Sequence, residues 1–387
     1  MNKYYSQFRI IEQKPASPMV SQTAGKFAAA VKPCILMVGM HLTKTRGGIT
    51  TLITEILNSP LKDEFEFVYI ESQAEDFGKL RKILLALQAL WQFVRNCLQK
   101  RPALVYVHLG SNASLYRESV FIFLAKIFGK KVVAHFHAGD FDNYYPFQSR
   151  IGQKFIRRAL TLSDSIIAAS EESAATLRNI AASANIFVIT NAIDTSIFNN
   201  PATKRHDTDV VRLLFVGAVG KLKGERDLIK ALAILRDGGK TNIKVSFLGY
   251  GAESLKTYCD ESGISEFIEF LGAVSLNERI EFFQKADIFV LPTYAEAMPM
   301  SVIEAMAAGL PVVSTAVGGI PELIEDGTDG FLFTPGDVNA LAEKISLLLD
   351  DKATRIKIGN KARQKAREQM DFSQYADKLR THLSAGS

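Results

Sequence analysis

From residue 32 onwards, short apolar runs alternate regularly with segments of helical length. Such an alternation is typical of parallel sheets in which a helix joins each strand to the next. Twelve runs rich in Val, Ile, Leu and Phe have the length of strands that are buried on both faces. We therefore predict strands over residues 34–38, 66–70, 104–107, 131–135, 165–169, 187–189, 211–216, 244–248, 268–270, 288–291, 311–315 and 330–333.

A polar stretch without periodicity divides these strands into two groups of six. It covers residues 201–209, PATKRHDTD, and has the composition of a linker. The predicted fold class is therefore α/β, with two doubly wound, Rossmann-like α/β/α domains. We assign residues 1–31 to an N-terminal extension, 32–200 to the first domain, 201–210 to the linker, 211–372 to the second domain and 373–387 to a C-terminal helix.

Composition and charge argue against several classes of protein. No stretch reaches about 18 uninterrupted apolar residues, so we predict no transmembrane helix, and the first 31 residues lack the apolar core of a signal peptide. The net charge of +5 includes no basic block that would indicate nucleic-acid binding. The three cysteines, Cys34, Cys97 and Cys259, show no metal-ligand spacing. We expect a reduced cytoplasmic protein.

Residues 291–333 contain the clearest candidate site. A strand ends in a turn that carries Glu296, and Pro299 opens a short helix, where the missing proline N–H costs nothing. The helix carries Glu304, and Gly309 is placed to end it in a left-handed conformation. Pro311 then begins the next β-branched run. The stretch therefore predicts a strand, a helix and a strand that pack as one unit.

The start of this helix favours an anion. The N–H groups of Met300 and Ser301, which follow Met298 and Pro299 in the turn, have no partners within the helix and lie at the positive end of its dipole. A phosphate suits that position, and a carboxylate can accept hydrogen bonds from a pair of sugar hydroxyls. The two glutamates alone would favour a solvated surface pair. Together with the helix start they indicate a sugar nucleotide.

The whole stretch resembles the signature of the retaining glycosyltransferases of family 4. That signature has two glutamates separated by seven residues, then small residues, G-x-P-V-V and a Gly-Gly loop. Ala297 departs from it by replacing the usual glycine after the first glutamate. The resemblance implies a GT-B fold, in which two Rossmann-like domains face each other across a cleft and the last helix returns to the first domain. The matching residues are Glu296, Glu304, Gly309, Pro311, Val312, Val313, Gly318 and Gly319.

The first domain offers two weaker candidates. Gly47 and Gly48 lie at a strand-to-helix turn, where paired glycines either let amides approach a phosphate or simply form a tight turn. His137 and His135 alternate at the end of a predicted strand, where a buried, hydrogen-bonded histidine is the plain interpretation and a zinc site lacks further ligands. The family has a glycine pair and a histidine at these places, facing the cleft. Asp140 is a candidate contact for sugar or acceptor.

The second domain departs from the family at one important position. The family pattern is a glycine, an arginine, a short loop and Lys-Gly, and the two cations neutralise the donor diphosphate. Gly217 and Lys223 match, but Ala218 replaces the arginine. A leaving diphosphate needs preorganised positive charge, so either other cations such as Lys221 or Arg226 help, or the enzyme is weakened. Val274 matches the loop whose backbone contacts the nucleotide base.

The segment from Lys79 to Arg101 predicts an amphipathic helix with cationic ends. Its apolar stripe consists of Leu80, Leu84, Leu87, Trp91, Val94 and Leu98. One interpretation is a helix that packs on the sheet, and the other is a helix that contacts an anionic membrane carrying a lipid-linked acceptor. A second apolar helix is predicted over residues 118–130.

The resemblance implies a retaining hexosyltransferase, in EC class 2.4, that uses a UDP- or GDP-sugar and needs no metal or other cofactor. Glu304 is expected to bind the ribose, Glu296 the sugar, and Lys223 the diphosphate. The expected acceptor is a saccharide, in particular a lipid-linked or growing bacterial surface polysaccharide, reached from the inner face of the membrane. Two alternatives stay open: a sugar-nucleotide epimerase of the same fold, and an inactive partner subunit, which Ala218 would explain.

Overall fold

The structure, a computed structural model, describes residues 32–45, 47–74, 77–198, 209–220 and 222–384. The predicted extension over residues 1–31 lies outside these ranges, as do residues 201–208 of the predicted linker. Lys221, one of the candidate cations, also lies outside them. Cys34, Cys97 and Cys259 are buried free thiols.

The first half of the described chain forms a six-stranded parallel sheet in the order β2-β1-β3-β4-β5-β6. Because the order reverses between β1 and β3, ligands are expected beyond the carboxyl ends of these strands. The strands are β1 (Cys34–Met40), β2 (Glu66–Gln73), β3 (Leu104–Leu109), β4 (Lys131–Phe136), β5 (Ser165–Ala168) and β6 (Ile186–Val188). The helices are α1 (Gly48–Asn58), α2 (Leu61–Glu64), α3 (Lys79–Gln99), α4 (Ala113–Ile127), α5 (Phe141–Tyr144), α6 (Arg150–Leu162) and α7 (Glu171–Ile180).

The second half forms another six-stranded parallel sheet, in the order β12-β11-β10-β7-β8-β9, which reverses between β7 and β10. Its strands are β7 (Val211–Val216), β8 (Ile243–Leu248), β9 (Ile268–Gly272), β10 (Ile288–Leu291), β11 (Val312–Thr315) and β12 (Gly330–Phe333). Its helices are α8 (Glu225–Asp237), α9 (Lys256–Glu261), α10 (Leu276–Lys285), α11 (Met300–Ala308), α12 (Ile320–Leu323), α13 (Val338–Asp350) and α14 (Lys352–Gln369). The chain then continues into α15 (Phe372–Ser384).

Each of the twelve predicted strands is present, and the predicted α/β class with two parallel sheets is confirmed. The short helix α11 also ends as predicted, because Gly309 adopts the left-handed conformation with φ +75°. Pro299 is the residue just before the helix rather than its first residue. The second apolar helix, α4, begins at Ala113, five residues earlier than predicted.

The last helix packs against the first sheet. Phe372, Tyr375 and Leu379 of α15 share a buried core with Ile35 of β1 and Tyr106 of β3. The crossing point is fixed by Asp371, whose carboxylate accepts a hydrogen bond of 2.6 Å from the Thr195 hydroxyl. This hydrogen bond therefore joins the end of the first half of the chain to the segment that leads into α15.

Helix α3 packs on the sheet through a different face from the predicted stripe. Its buried residues are Ala89, Phe93 and Cys97, and Phe93 lies nine positions from Leu84, which places the two on opposite sides of the helix. The packing interpretation is correct for the helix but wrong for the stripe, since most of the stripe faces water. Each of Leu80, Ile83, Leu84, Leu87, Trp91 and Leu98 is more than half exposed, the least exposed at 56%. No helix in the described ranges is both long and apolar enough to cross a bilayer.

Candidate functional site

A cavity of about 440 Å³ lies between the carboxyl ends of the two sheets. Ten of the twelve residues predicted as site residues line it, although they come from six separate places in the sequence. The first domain contributes Gly47, Gly48 and His137, and the second contributes Gly217, Lys223, Val274, Glu296, Met298, Met300 and Ser301. Glu304 and Asp140 are not among the lining residues. The roles of these residues remain predictions.

The amino terminus of α11 opens into this cavity. Pro299 precedes it in an extended conformation, and the first intrahelical bond runs from the Val302 N–H to the Pro299 carbonyl at 3.1 Å. The N–H groups of Met300 and Ser301 therefore remain available at the positive end of the helix. Gly48 of the first domain lies against this end, where a Cβ would be 2.8 Å from Met300 Cγ. The arrangement suits an anion held between the two domains.

Lys223 and Glu296 form an ion pair at the wall of the cavity. The lysine is placed by Gly224, whose left-handed conformation (φ +69°) lets the backbone approach the Pro292 carbonyl; a Cβ there would be 1.8 Å from that oxygen. The Thr293 hydroxyl secures the same loop by donating to the Leu222 carbonyl at 2.7 Å. The Lys-Gly pair of the sequence therefore brings a cation to the end of β10.

Glu304 lies one layer behind the cavity and pairs with Arg279 of α10, which does line it. Burial raises the pKa of Glu304, and the Arg279 guanidinium opposes that rise. Arg279 Nε is buried with no hydrogen-bond partner among the described residues. Sequence reasoning missed Arg279. The available signal was a cation in the first turn of the helix that follows Val274.

Three histidines meet at the first-domain side of the cavity. His135 and His137 of the β4 segment were predicted to share a face, and β3 adds His108, whose partner in the sheet register is His135. His108 Nδ1 lies 3.0 Å from His137 Nε2, and the Tyr106 hydroxyl lies 2.7 Å from His135 Nδ1. Burial lowers the pKa of all three, and that of His137 falls to about 3. The imidazoles are therefore neutral at physiological pH.

These histidines are also the group that offers a metal-ligand set within the described ranges. One ring nitrogen from each lies within 4.8 Å of the others, and the group contains no carboxylate or cysteine. A metal with three histidine ligands would have no compensating negative charge in this buried position.

Two other predicted positions differ from expectation. Asp140 precedes α5, and its carboxylate accepts a hydrogen bond of 2.8 Å from the Asn143 amide, so it stabilises a turn instead of lining the cavity. Ala218 does line the cavity, where the family pattern has an arginine. Arg226, a candidate replacement, is exposed and stacks over the Tyr258 ring at 5.2 Å. Among the residues that the structure describes, Arg279, which was not predicted, is the cation that accompanies Lys223 in the cavity wall.

The two domains touch across the cavity. Gly139 lies against the backbone of the Glu296 turn, where a Cβ would be 2.4 Å from the Ala297 nitrogen. The Asn191 amide donates to the Met298 carbonyl at 2.9 Å. The Glu171 N–H donates to Glu322 at 2.8 Å. The cavity walls are thus held together by direct contacts.

Sequence models of known families match nearly the whole described chain. The family described as Glycosyl transferases group 1 matches residues 196–365, and Glycosyltransferase Family 4 matches residues 39–197. The chain belongs to glycosyltransferase family 4. This family 4 protein also resembles solved structures. It matches sucrose-phosphate synthase from Thermosynechococcus elongatus with a TM-score of 0.78 at 17% identity, covering 92% of this chain and 100% of that one.

A second solved structure and a curated relative complete the comparison. HepE from Anabaena, solved in complex with UDP-glucose, matches with a TM-score of 0.72 at 20% identity, over 91% of this chain and 99% of that one. The D-inositol 3-phosphate glycosyltransferase of Arthrobacter sp. (strain FB24) is 35% identical over 167 residues, which are 42% of this chain and 38% of that protein. The match thus spans less than half of that relative. The structural likenesses show a shared two-domain fold.

Proposed function

We propose that the protein is a retaining glycosyltransferase of EC class 2.4, which transfers a sugar from a UDP- or GDP-sugar to an acceptor hydroxyl. The observation that carries this proposal is the meeting, in one interdomain cavity, of the α11 amino terminus, the Lys223–Glu296 pair and Arg279, which pairs with Glu304 just behind the cavity wall. Amides and cations suit a diphosphate, and buried carboxylates suit hydroxyl groups. The UDP-glucose complex of HepE supports a nucleotide sugar as the donor.

In this proposal the diphosphate lies at the amides of Met300 and Ser301, beside Gly47 and Gly48. Lys223 leaves Glu296 partly or wholly to bind phosphate, which frees the Glu296 carboxylate for the transferred sugar. The cavity wall opens beside Arg279, so that the Glu304 carboxylate behind it accepts hydrogen bonds from the ribose hydroxyls, and the Arg279 guanidinium favours the ionised form of that carboxylate. Gly217 and Val274 border the base. Donor binding therefore exchanges protein ion pairs for contacts with the substrate.

The arrangement of carboxylates favours displacement on one face of the sugar. Glu296 is the sole carboxylate among the described residues that line the cavity, and it is paired with Lys223. A two-carboxylate mechanism, as in many glycoside hydrolases, thus lacks its second member. We propose that the bond from the anomeric carbon to the phosphate breaks, the acceptor oxygen bonds to that carbon on the same face, and the acceptor proton passes to the leaving phosphate. No step requires a metal.

The exposed stripe of α3 supports a membrane-linked acceptor. Its apolar side chains face water beside the exposed Lys79, Arg81 and Lys82. The neighbouring helices of the same layer add Ile127 at 77% exposure and Ile151 at 81%, with exposed arginines on α6. An apolar surface bordered by cations suits the interface of an anionic bilayer. We propose peripheral contact with that surface and a lipid-linked saccharide, such as a growing surface polysaccharide, as acceptor.

Ala218 favours one alternative, a catalytically weak or inactive partner subunit. Proton NMR of UDP- and GDP-sugars incubated with the protein distinguishes the possibilities. We expect slow consumption of one donor, with the released sugar appearing first as the anomer found in the donor, and much slower consumption by Lys223→Ala. A donor that binds but stays intact would favour the partner subunit. Accumulation of an epimerised donor or free sugar epimer would favour an epimerase.

A further inference from the structure

The rings of His108 and His137 are joined edge to edge. Their planes differ by 12° and their centroids are 5.3 Å apart, while the Nδ1 to Nε2 distance is 3.0 Å. The centroid separation equals the nitrogen–nitrogen distance of 3.0 Å plus the radius of one imidazole ring at each end. The two nitrogens therefore lie on the line between the centroids, and the rings lie nearly in one plane. The contact is therefore a directed hydrogen bond between two imidazoles. His135 packs over the His137 ring at 4.0 Å and restricts its rotation.

The surroundings of His108 decide which ring donates. A neutral imidazole has one N–H and one acceptor nitrogen. His108 Nε2 is buried with no hydrogen-bond partner among the described residues, and a buried N–H without a partner is rarer than an unpaired acceptor. The proton of His108 therefore belongs on Nδ1, from which it is donated to His137 Nε2. His137 must then carry its own proton on Nδ1.

We propose that His108 is a positioning residue that holds His137 as the neutral Nδ1–H tautomer, so that His137 offers a hydrogen-bond donor to a ligand oxygen in the cavity. His137 is half-buried and lines the cavity, and its other ring nitrogen is occupied by His108. A ring fixed in this way donates to a sugar hydroxyl or phosphate oxygen and cannot act as the base for the acceptor hydroxyl. The hydrogen bond from His137 to the donor substrate rests on the proposed function, whereas the tautomer assigned to His137 does not.

The tautomer is measured on the protein alone by long-range proton–nitrogen NMR of a sample labelled with ¹⁵N in its histidine rings. The chain has six histidines, and His137→Gln identifies the signals of His137, with His382→Gln as the control that removes a different set. We expect a protonated Nδ1 and an unprotonated Nε2 for His137 near neutral pH. A protonated Nε2 would overturn the proposal. Signals that change on addition of EDTA would also overturn it, because they would show a bound metal in the cluster.

Two variants test the positioning role. His108→Phe fills the space without a donor, and we expect His137 to lose its single tautomer and kcat to fall by about 100-fold with little change in KM for the donor. His108→Asn retains an N–H near the position of Nδ1, and we expect it to restore the Nδ1–H tautomer and most of kcat. Equal losses in both variants with an unchanged His137 tautomer would contradict the role. Absence of any transfer by the wild type would contradict the proposed function while leaving the tautomer result valid.

Discussion

At the scale of single residues, two ion pairs at the cavity each join a glutamate of the family signature to a cation. Lys223 holds Glu296 at the wall, and Arg279 holds Glu304 behind it. Ala218 stands where the family pattern has an arginine, so that positive charge is missing at this position. Arg279 supplies a cation from α10 instead. The guanidinium thus serves both the buried carboxylate and the electrostatics of the cavity.

We expect Arg279→Met to weaken nucleotide binding by about tenfold or more, the size of one charge-assisted contact. Burial already raises the pKa of Glu304, and loss of Arg279 raises it further. Affinity that depends on the ionised carboxylate is present above this pKa and is lost as the pH falls through it. Calorimetric titrations at a series of pH values should therefore show affinity lost at a higher pH in the variant than in the wild type. Arg226→Met, on an exposed side chain, is the control. Identical pH profiles of nucleotide affinity for Arg279→Met and the wild type would contradict the role given to Arg279.

At the scale of helices and strands, the exposed apolar stripe of α3 leads us to predict binding to anionic membranes. The double variant Leu84→Glu with Leu87→Glu should reduce partition onto anionic vesicles by at least about tenfold, because each change replaces apolar contact by repulsion from the surface. Co-sedimentation with vesicles measures this. Both residues are more than half exposed, so unfolding stability should change little. Leu347→Glu, on an exposed residue of α13, is the matched control, and equal binding by both variants would contradict membrane contact through α3.

The pairing of β3 with β4 buries two imidazoles and predicts a pH-dependent stability. Burial holds the pKa of His108 and His135 well below the ordinary value of 6.5. Below pH 6.5 the two imidazoles bind protons in the unfolded chain but not in the folded chain. The free energy of unfolding therefore falls as the pH drops, by about 1.4 kcal/mol per pH unit for each imidazole.

Denaturant unfolding at pH 7.5 and 5.0 measures this loss. His135→Phe should lower by about one the number of protons bound on unfolding at low pH, and so make the free energy of unfolding less dependent on pH. This holds whatever the effect of the substitution on stability at pH 7.5. Parallel pH curves for the variant and the wild type would contradict the assignment.

The sequence predicted strands better than the faces of helices. Strands buried on both sides are continuous apolar runs, which is why β7, β10 and β12 were placed at their observed bounds. The amphipathic pattern of α3 was also visible, but the pattern itself does not say which side meets the sheet. His108 and Arg279 were missed for a related reason: each acquires its meaning from a neighbour in the fold, and no spacing in the chain reveals that neighbour.

At the scale of the whole molecule, the two domains meet where Gly139 lies against the backbone of the Glu296 turn, and this contact depends on the absence of a side chain at Gly139. A Cβ there would be 2.4 Å from the Ala297 nitrogen, so Gly139→Ala must push the Glu296 turn away from the first domain. We expect kcat to fall by about 100-fold, as for other small misplacements of reacting groups, and small-angle scattering to show a more open molecule. Gly78→Ala, where a Cβ meets nothing within 4 Å, is the control. Normal kcat in Gly139→Ala would contradict the need for this contact.

Calorimetric titration of the protein with UDP, GDP and ADP and their common sugar conjugates, with and without EDTA, tests whether this cavity binds a nucleotide sugar. We predict that one nucleotide binds, that EDTA does not alter its affinity, and that Glu304→Ala and Lys223→Ala each weaken it by about tenfold or more. Binding of no nucleotide by the wild type, or binding that both variants leave unchanged, would contradict the assignment of this cavity as a nucleotide-sugar site.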